Sequence, residues 1–275
     1  MAIPKRPLGR SGQEVTILGL GGEGVLRTHG MPAEAQTVIR AALDAGIEYF
    51  ESARAYAGSE AYLGKGLKGR RQQIFLTSKS HGRTRAEAEA HLAVTLKNLQ
   101  TDYLDLWQVH DLRTFEEVAA IGAPGGALEA FHQARKRGQA RFIGVTGHHD
   151  PEVLRRALQL YEFDTVLLPV NPAEPHYRSF LSLAEEMQAR GLGVIGMKVL
   201  CRGMLPSLQA APVQDFVTYA LSQAVSLVVV GADSAAQVRE LAAAAQDFQP
   251  MPQQDQLLLE KTVAPYARGL MYYKP

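Results

Sequence analysis

Eight short runs rich in β-branched residues are spread along the whole 275-residue chain: VTILGL, EYFESA, IFLTSK, LDLWQVH, FIGVTG, DTVLLPV, GVIGMK and LVVVGA. Between them lie segments of about three turns whose apolar residues recur at helical spacing, including residues 33–46, 84–99, 126–138 and 234–246. A strand-then-helix unit repeated this often fits an α/β fold of the (β/α)8 TIM-barrel type. An open doubly wound sheet is the competitor, but it usually has fewer strands and opens a helix with G-x-G-x-x-G. The run 19-GLGGEG-24 lacks that spacing and reads as turn geometry at the end of the first strand. Residues 5–16 read as a β-hairpin capping the barrel bottom, and residues 250–265 as an extra C-terminal helix. The tail 266-YARGLMYYKP-275 is either a packed terminus or a flap over the barrel mouth. With no internal linker, residues 1–275 are expected to form a single barrel domain.

Composition narrows the partners. Lys+Arg 29 against Asp+Glu 28 leaves a formal charge of +1, which gives no electrostatic argument for nucleic acid or an anionic membrane. No window resembles a signal peptide or a membrane span, so a cytoplasmic protein acting on a small molecule is expected. Cys201 is the single cysteine. It excludes an internal disulfide and a cysteine-ligated iron–sulfur cluster, so redox chemistry would need a bound cofactor.

Catalytic groups of such a barrel come from the C-terminal ends of its strands. Glu51 lies near the end of the second barrel strand, Tyr56 just beyond it, Lys79 closes the third and His110 closes the fourth. Consecutive strands are neighbours, so the four side chains should converge. A free tyrosine has a pKa of roughly 10. An adjacent Lys79 ammonium would stabilise the phenolate and lower that value, with Glu51 holding the lysine charged. A neutral His110 could donate a hydrogen bond to a substrate oxygen. Such a set suits reduction of a carbonyl, where hydride arriving at carbon leaves negative charge on oxygen. Taken singly, each residue has a structural reading as a loop tyrosine, a solvated end-cap or a core histidine.

In this order and spacing the residues resemble the aldo-keto reductases, nicotinamide-dependent barrels with an Asp-Tyr-Lys-His tetrad. The similarity runs from 7-PLGRSGQEVTILGLGG-22 through 41-AALDAGIEYFESARAY-56, 101-TDYLDLWQVH-110 and 138-GQARFIGVTG-147 to 231-GADSAAQV-238. It implies Tyr56, Lys79 and His110 as catalytic residues, with Glu51 in the place of the family aspartate. It implies a small-molecule aldehyde or ketone as substrate and NADP(H) as cofactor. NAD(H) is the alternative, because Asp233 would repel a phosphate. The nicotinamide end is implied at Thr146 and Gly147, where the family has a serine-asparagine pair, and at Met197, where it commonly has an aromatic. Leu167 takes the place of a family glutamine. The remaining cofactor contacts are implied at Gly22, at Val199, Leu200 and Arg202 after the seventh strand, and at Gly231, Ala232, Asp233 and Ser234 entering the eighth helix. Gln237 falls on the family's 2′-phosphate arginine, which Arg202 or Arg239 would have to replace.

Two other functions compete. A metal-dependent hydrolase on the same barrel is suggested by 148-HHD-150, whose histidines otherwise read as solvated loop residues. A regulatory module that binds NADP without turnover is suggested by the altered nicotinamide pocket.

Overall fold

The computed structural model describes residues 2–275. Strands β1 (Lys5–Pro7) and β2 (Glu14–Thr16) pair antiparallel as the expected hairpin. The eight expected barrel strands come next: β3 (Leu18–Gly24), β4 (Tyr49–Glu51), β5 (Phe75–Ser80), β6 (Leu104–Val109), β7 (Ala140–Thr146), β8 (Thr165–Pro169), β9 (Gly193–Met197) and β10 (Leu227–Ala232). All pair parallel in chain order, and β10 returns to β3 to close the barrel. The closed (β/α)8 architecture is therefore the one the strand-helix alternation implied.

Around the barrel lie α1 (Pro32–Asp44), α2 (Ser59–Gly66), α3 (Arg85–Leu99), α4 (Phe115–Gly122), α5 (Ala127–Lys136), α6 (Pro151–Leu160), α7 (Leu181–Ala189), α8 (Met204–Ser207), α9 (Val213–Leu221) and α10 (Ala235–Gln246). Several start on a side chain that satisfies free backbone N–H groups. Thr84 and Glu87 make a reciprocal capping box on α3, and Asp150 caps α6 with Pro151 behind it. Between strands and helices runs the larger apolar core, which contains Phe50, Trp107, Phe131 and Phe180. A second core fills the barrel itself. Tyr49, Phe75, Leu106, Leu167, Ile195 and Leu227 of β4, β5, β6, β8, β9 and β10 fill it, with Phe142 of β7 packed against them, and Leu8 and Val15 of the hairpin segment join them. Each such side chain, fully buried, contributes about 1.5–3 kcal/mol.

The hairpin seals the N-terminal end. The Arg10 N–H donates to the Gly191 carbonyl at 2.8 Å, just before β9, and the Arg6 guanidinium donates to the carbonyls of Leu221 and Val225, both at 3.0 Å. At Gly193 the approach leaves no room for a side chain, since a Cβ there would meet Leu8 Cδ1 at 2.7 Å. With that end closed, access is left at the C-terminal ends of the strands. The extra helix α11 (Gln253–Val263) and the short α12 (Ala267–Leu270) then carry the chain back across that end.

Candidate active site

β4 is only three residues long, and the segment after it builds the site. The N–H groups of Ser52 and Arg54 donate to the carbonyls of Thr77 and Lys79 at 3.0 and 2.9 Å, so the chain leaves β4 still pinned along β5. A turn closed by Tyr56 N–H on the Ala53 carbonyl, at 2.9 Å, then sets the tyrosine over the neighbouring strand ends. Glu51, Tyr56 and Lys79 are 3%, 8% and 1% exposed, so none is a solvated end-cap. Lys79 Nζ lies 2.6 Å from Glu51 Oε1 and donates to the Ser52 carbonyl at 3.0 Å. The longer glutamate thus still reaches the lysine. Its other oxygen, Oε2, is buried with no hydrogen-bond partner among the described residues.

The same ammonium lies 4.8 Å from the centroid of the Tyr56 ring, as does the guanidinium carbon of Arg27. The His110 ring meets Tyr56 edge-on at 5.7 Å. All four sequence-predicted groups therefore converge. Two of their protonation states can be read from their surroundings. Burial first, then the charge of Lys79, pushes His110 well below the usual histidine range, so it is neutral. The phenol of Tyr56 goes the other way from the expectation. Burial, then the carboxylates of Glu51 and Glu23, raise it well above 10. Burial and the two carboxylates outweigh the opposing charge of Arg27. Tyr56 is consequently held in its protonated form.

Tyr56 lines two adjoining cavities. One, of about 700 Å³, lies above His110 and is bounded by Lys79, Thr146, Leu167 and the tail residues Tyr272 to Pro275. Of the two expectations for the tail, packing and covering the mouth, both hold. Lys274 Nζ pairs with Glu174 at 2.7 Å with both side chains fully buried, and Tyr273 donates to the same carboxylate at 2.7 Å. His148 departs from its solvated reading. It is mostly buried, with Nε2 3.1 Å from Asp111 Oδ1 and its ring edge-on to Tyr273 at 5.8 Å. The tail, more than a hundred residues away in sequence, covers it.

The other cavity, of about 470 Å³, runs from Glu51 and Tyr56 between β9 and β10 to the start of α10. Of the residues implied for the cofactor, Met197, Val199, Leu200, Arg202, Gly231, Asp233 and Gln237 line it. Thr146 lines the larger cavity instead, and its Oγ1 accepts from the Asp111 N–H at 2.7 Å. Gly22, Gly147, Ala232 and Ser234 are not in either lining. At Gly22 a Cβ would meet Ser59 Oγ at 2.5 Å, and the neighbouring Gly21 faces the groove. Ser234 caps α10 by accepting from the Gln237 N–H, while Gln237 Oε1 accepts from the Asp233 N–H at 2.7 Å. Gln237 is thus engaged in the cap.

Sequence reasoning passed over Lys198, Glu23 and Arg27. Lys198, one residue past β9 in a left-handed conformation (φ 60°), lines both cavities. Burial lowers its pKa, against the pull of Glu23, which in turn bonds Arg27 at 2.8 Å. The strand-end rule that selected Lys79 marks its position just past β9, but not the left-handed turn that aims it.

Histidines held below their usual range, chiefly the mostly buried His110 and His148, give the fold a pH dependence. His81, His91, His110, His132, His148 and His149 are all shifted below 6.5, burial being the first cause in each. The unfolded chain binds these protons near pH 6.5 and the folded chain only at lower pH. Stability is therefore fully present above about pH 6.5 and falls as pH drops below it. Thermal melts from pH 8 to pH 5 should show this, with a shallower fall in His110→Gln. A melting temperature that stays level through this range would contradict the assignment.

A family model for the aldo/keto reductase family matches residues 17–216. The chain belongs to the aldo/keto reductase family, a family of oxidoreductases. It is 28% identical over 229 residues to an L-galactose dehydrogenase of Arabidopsis thaliana, covering 74% of this chain and 67% of that one. The fold matches an aldo-keto reductase from Bacillus halodurans in its holo form with a TM-score of 0.80, at 24% identity over 94% of this chain and 96% of the other. It also matches an aldo-keto reductase from Klebsiella pneumoniae in complex with NADPH, with a TM-score of 0.76 and 22% identity over 94% and 95% of the two chains.

Proposed function

We propose that the protein is an NADP(H)-dependent oxidoreductase that interconverts an aldehyde or ketone and its alcohol, with Tyr56 as the proton donor in reduction. The observation that carries this reading is the place of Tyr56 at the junction of two cavities, beside a neutral His110 and a buried Lys79–Glu51 pair. The smaller cavity fits a nicotinamide dinucleotide. At its inner end, beside Glu51 and Tyr56, Met197 offers a polarizable face to a flat ring. Lys198 and Arg202 supply cations along its middle, and the capped N-terminus of α10 lies at its far end. That the Klebsiella relative was solved with NADPH supports the choice of cofactor.

The bound nicotinamide would supply a hydride to the carbonyl carbon. The chain's own groups then act on the oxygen. Tyr56, kept protonated by burial, donates its phenolic proton to the developing alkoxide. His110, neutral, offers a hydrogen bond to the same oxygen and orients the carbonyl. Lys79 steadies the phenolate left on Tyr56, and Glu51 keeps the lysine charged and in place. The tail residues Tyr272 and Tyr273 narrow access of water.

Titration of the purified protein with NADPH, followed by steady-state assays with a panel of aldehydes and ketones, tests the reading. Saturable binding with turnover supports it. Binding without turnover on any carbonyl would favour the regulatory module, and absence of binding would remove the cofactor assignment.

Preference between the two nicotinamide cofactors should be modest, because Asp233 and Glu240 line the groove near Gln237 while Arg239 does not. Gln237→Arg should raise the NADPH/NADH ratio of kcat/KM, since a guanidinium adds a charge-assisted contact to the 2′-phosphate alone. An unchanged ratio would place that phosphate elsewhere.

A further inference from the structure

We propose that Asp111, His148 and His149 form a binding site for one divalent transition metal ion of nitrogen-and-oxygen preference, such as Zn²⁺, at the rim of the larger cavity. One ligand atom from each residue can be chosen so that all lie within 4.8 Å of one another. Ligands at about 2.0–2.2 Å from a tetrahedral ion stand somewhat closer than this, so small side-chain rotations close the set. The donor atoms are available. Arg113 takes Asp111 Oδ2 from Nε at 2.8 Å and Nη2 at 2.6 Å, which leaves Oδ1 turned to His148. Asp111 Oδ1 is buried and, although 3.1 Å from His148 Nε2, makes no hydrogen bond among the described residues. Buried polar atoms of that kind are uncommon and call for a ligand.

The backbone holds the three groups in register. Asp111 is left-handed (φ 56°), and its N–H is fixed by Thr146 Oγ1 at the end of the adjacent strand. Beyond the histidines, Asp150 caps α6 and pairs with Arg178 at 2.9 Å, so the short loop is anchored at both ends. The histidine rings lie near-parallel at 28° with centroids 5.2 Å apart. Two imidazoles and one carboxylate suit Zn²⁺, Ni²⁺ or Co²⁺ better than Mg²⁺ or Ca²⁺, which prefer all-oxygen sites. The charge of Arg113, on Asp111 Oδ2, opposes the cation and weakens its binding. Since all three residues line the cavity, coordination positions left open by three protein ligands are reached from it.

The test uses the untagged full chain stripped with chelator. Zn²⁺ is titrated by calorimetry, and Co²⁺ is followed by its visible absorption. One equivalent of saturable binding is expected, with a rise in melting temperature on adding Zn²⁺. His149→Ala and Asp111→Asn, checked for folding by circular dichroism, should each weaken binding by about tenfold or more. No saturable one-to-one binding, or equal binding by both folded variants, overturns the site. NADPH affinity is measured on the same samples, so failure of the metal site is distinguishable from failure of the cofactor groove.

Discussion

Replacing Tyr56 with phenylalanine is expected to lower kcat for carbonyl reduction by about two orders of magnitude or more while NADPH affinity stays nearly unchanged. The substitution removes one oxygen and keeps the ring. The ring is what Lys79, Arg27 and His110 pack against, so the site should hold its shape. The loss should fall on kcat and kcat/KM together, because a proton donor acts on charge that develops only in the transition state. Rapid-mixing assays on parent and variant with one good substrate decide it. Equal kcat values would take Tyr56 out of the mechanism.

The second large effect is expected at Glu51. Lys79 is almost completely buried, and its one ion-pair partner among the described residues is this carboxylate at 2.6 Å. Glu51→Gln leaves a buried ammonium without a counter-charge, which is costly where solvent cannot compensate. Catalysis should fall, and the variant should melt at lower temperature. Glu51→Asp keeps the charge and shortens the side chain by one methylene, as in the family pattern, and should retain or improve kcat. An error of about 1 Å in a pre-organised group can cost on the order of a hundredfold, so the order of the two variants is informative. Loss of kcat in Glu51→Gln together with retention in Glu51→Asp assigns the carboxylate a positioning role. Untouched kcat and pH profile in both would withdraw it.

How far the sequence alone could see depends on the range of the interactions. Strands and helices were legible because their signals are local. Seven of the eight apolar runs became β4 to β10, while the first is divided between β2 and β3, and β3 continues through the glycines 19–24 that had the look of a turn; Ser234 and Thr84 sit where caps belong. The convergence of Glu51, Tyr56, Lys79 and His110 was legible through one topological rule about strand ends. What the rule could not give was environment. The direction of the Tyr56 shift depends on how deeply the ring is buried and on the carboxylates of Glu51 and Glu23 near it. His148 looked solvated in a run of polar residues, because Tyr273, which covers it, lies at the far end of the chain. The Lys274–Glu174 pair that fastens the tail spans 100 positions, and neither residue carries a local signal of its partner. Lys198 escaped for a different reason. The left-handed turn that aims this lysine between two cavities has no reliable mark in sequence.

The central claim is that Tyr56 protonates a carbonyl oxygen while a nicotinamide bound in the adjoining groove supplies hydride. A single-turnover experiment tests it most directly: protein in excess over NADPH is mixed with an aldehyde panel, and the near-ultraviolet absorbance of the reduced nicotinamide is followed. The account predicts an exponential loss of that absorbance with at least one aldehyde, slowed by about two orders of magnitude in Tyr56→Phe although the cofactor is bound equally. NADPH that binds but is never oxidised by any carbonyl, or oxidation at the same rate in the variant, would contradict it.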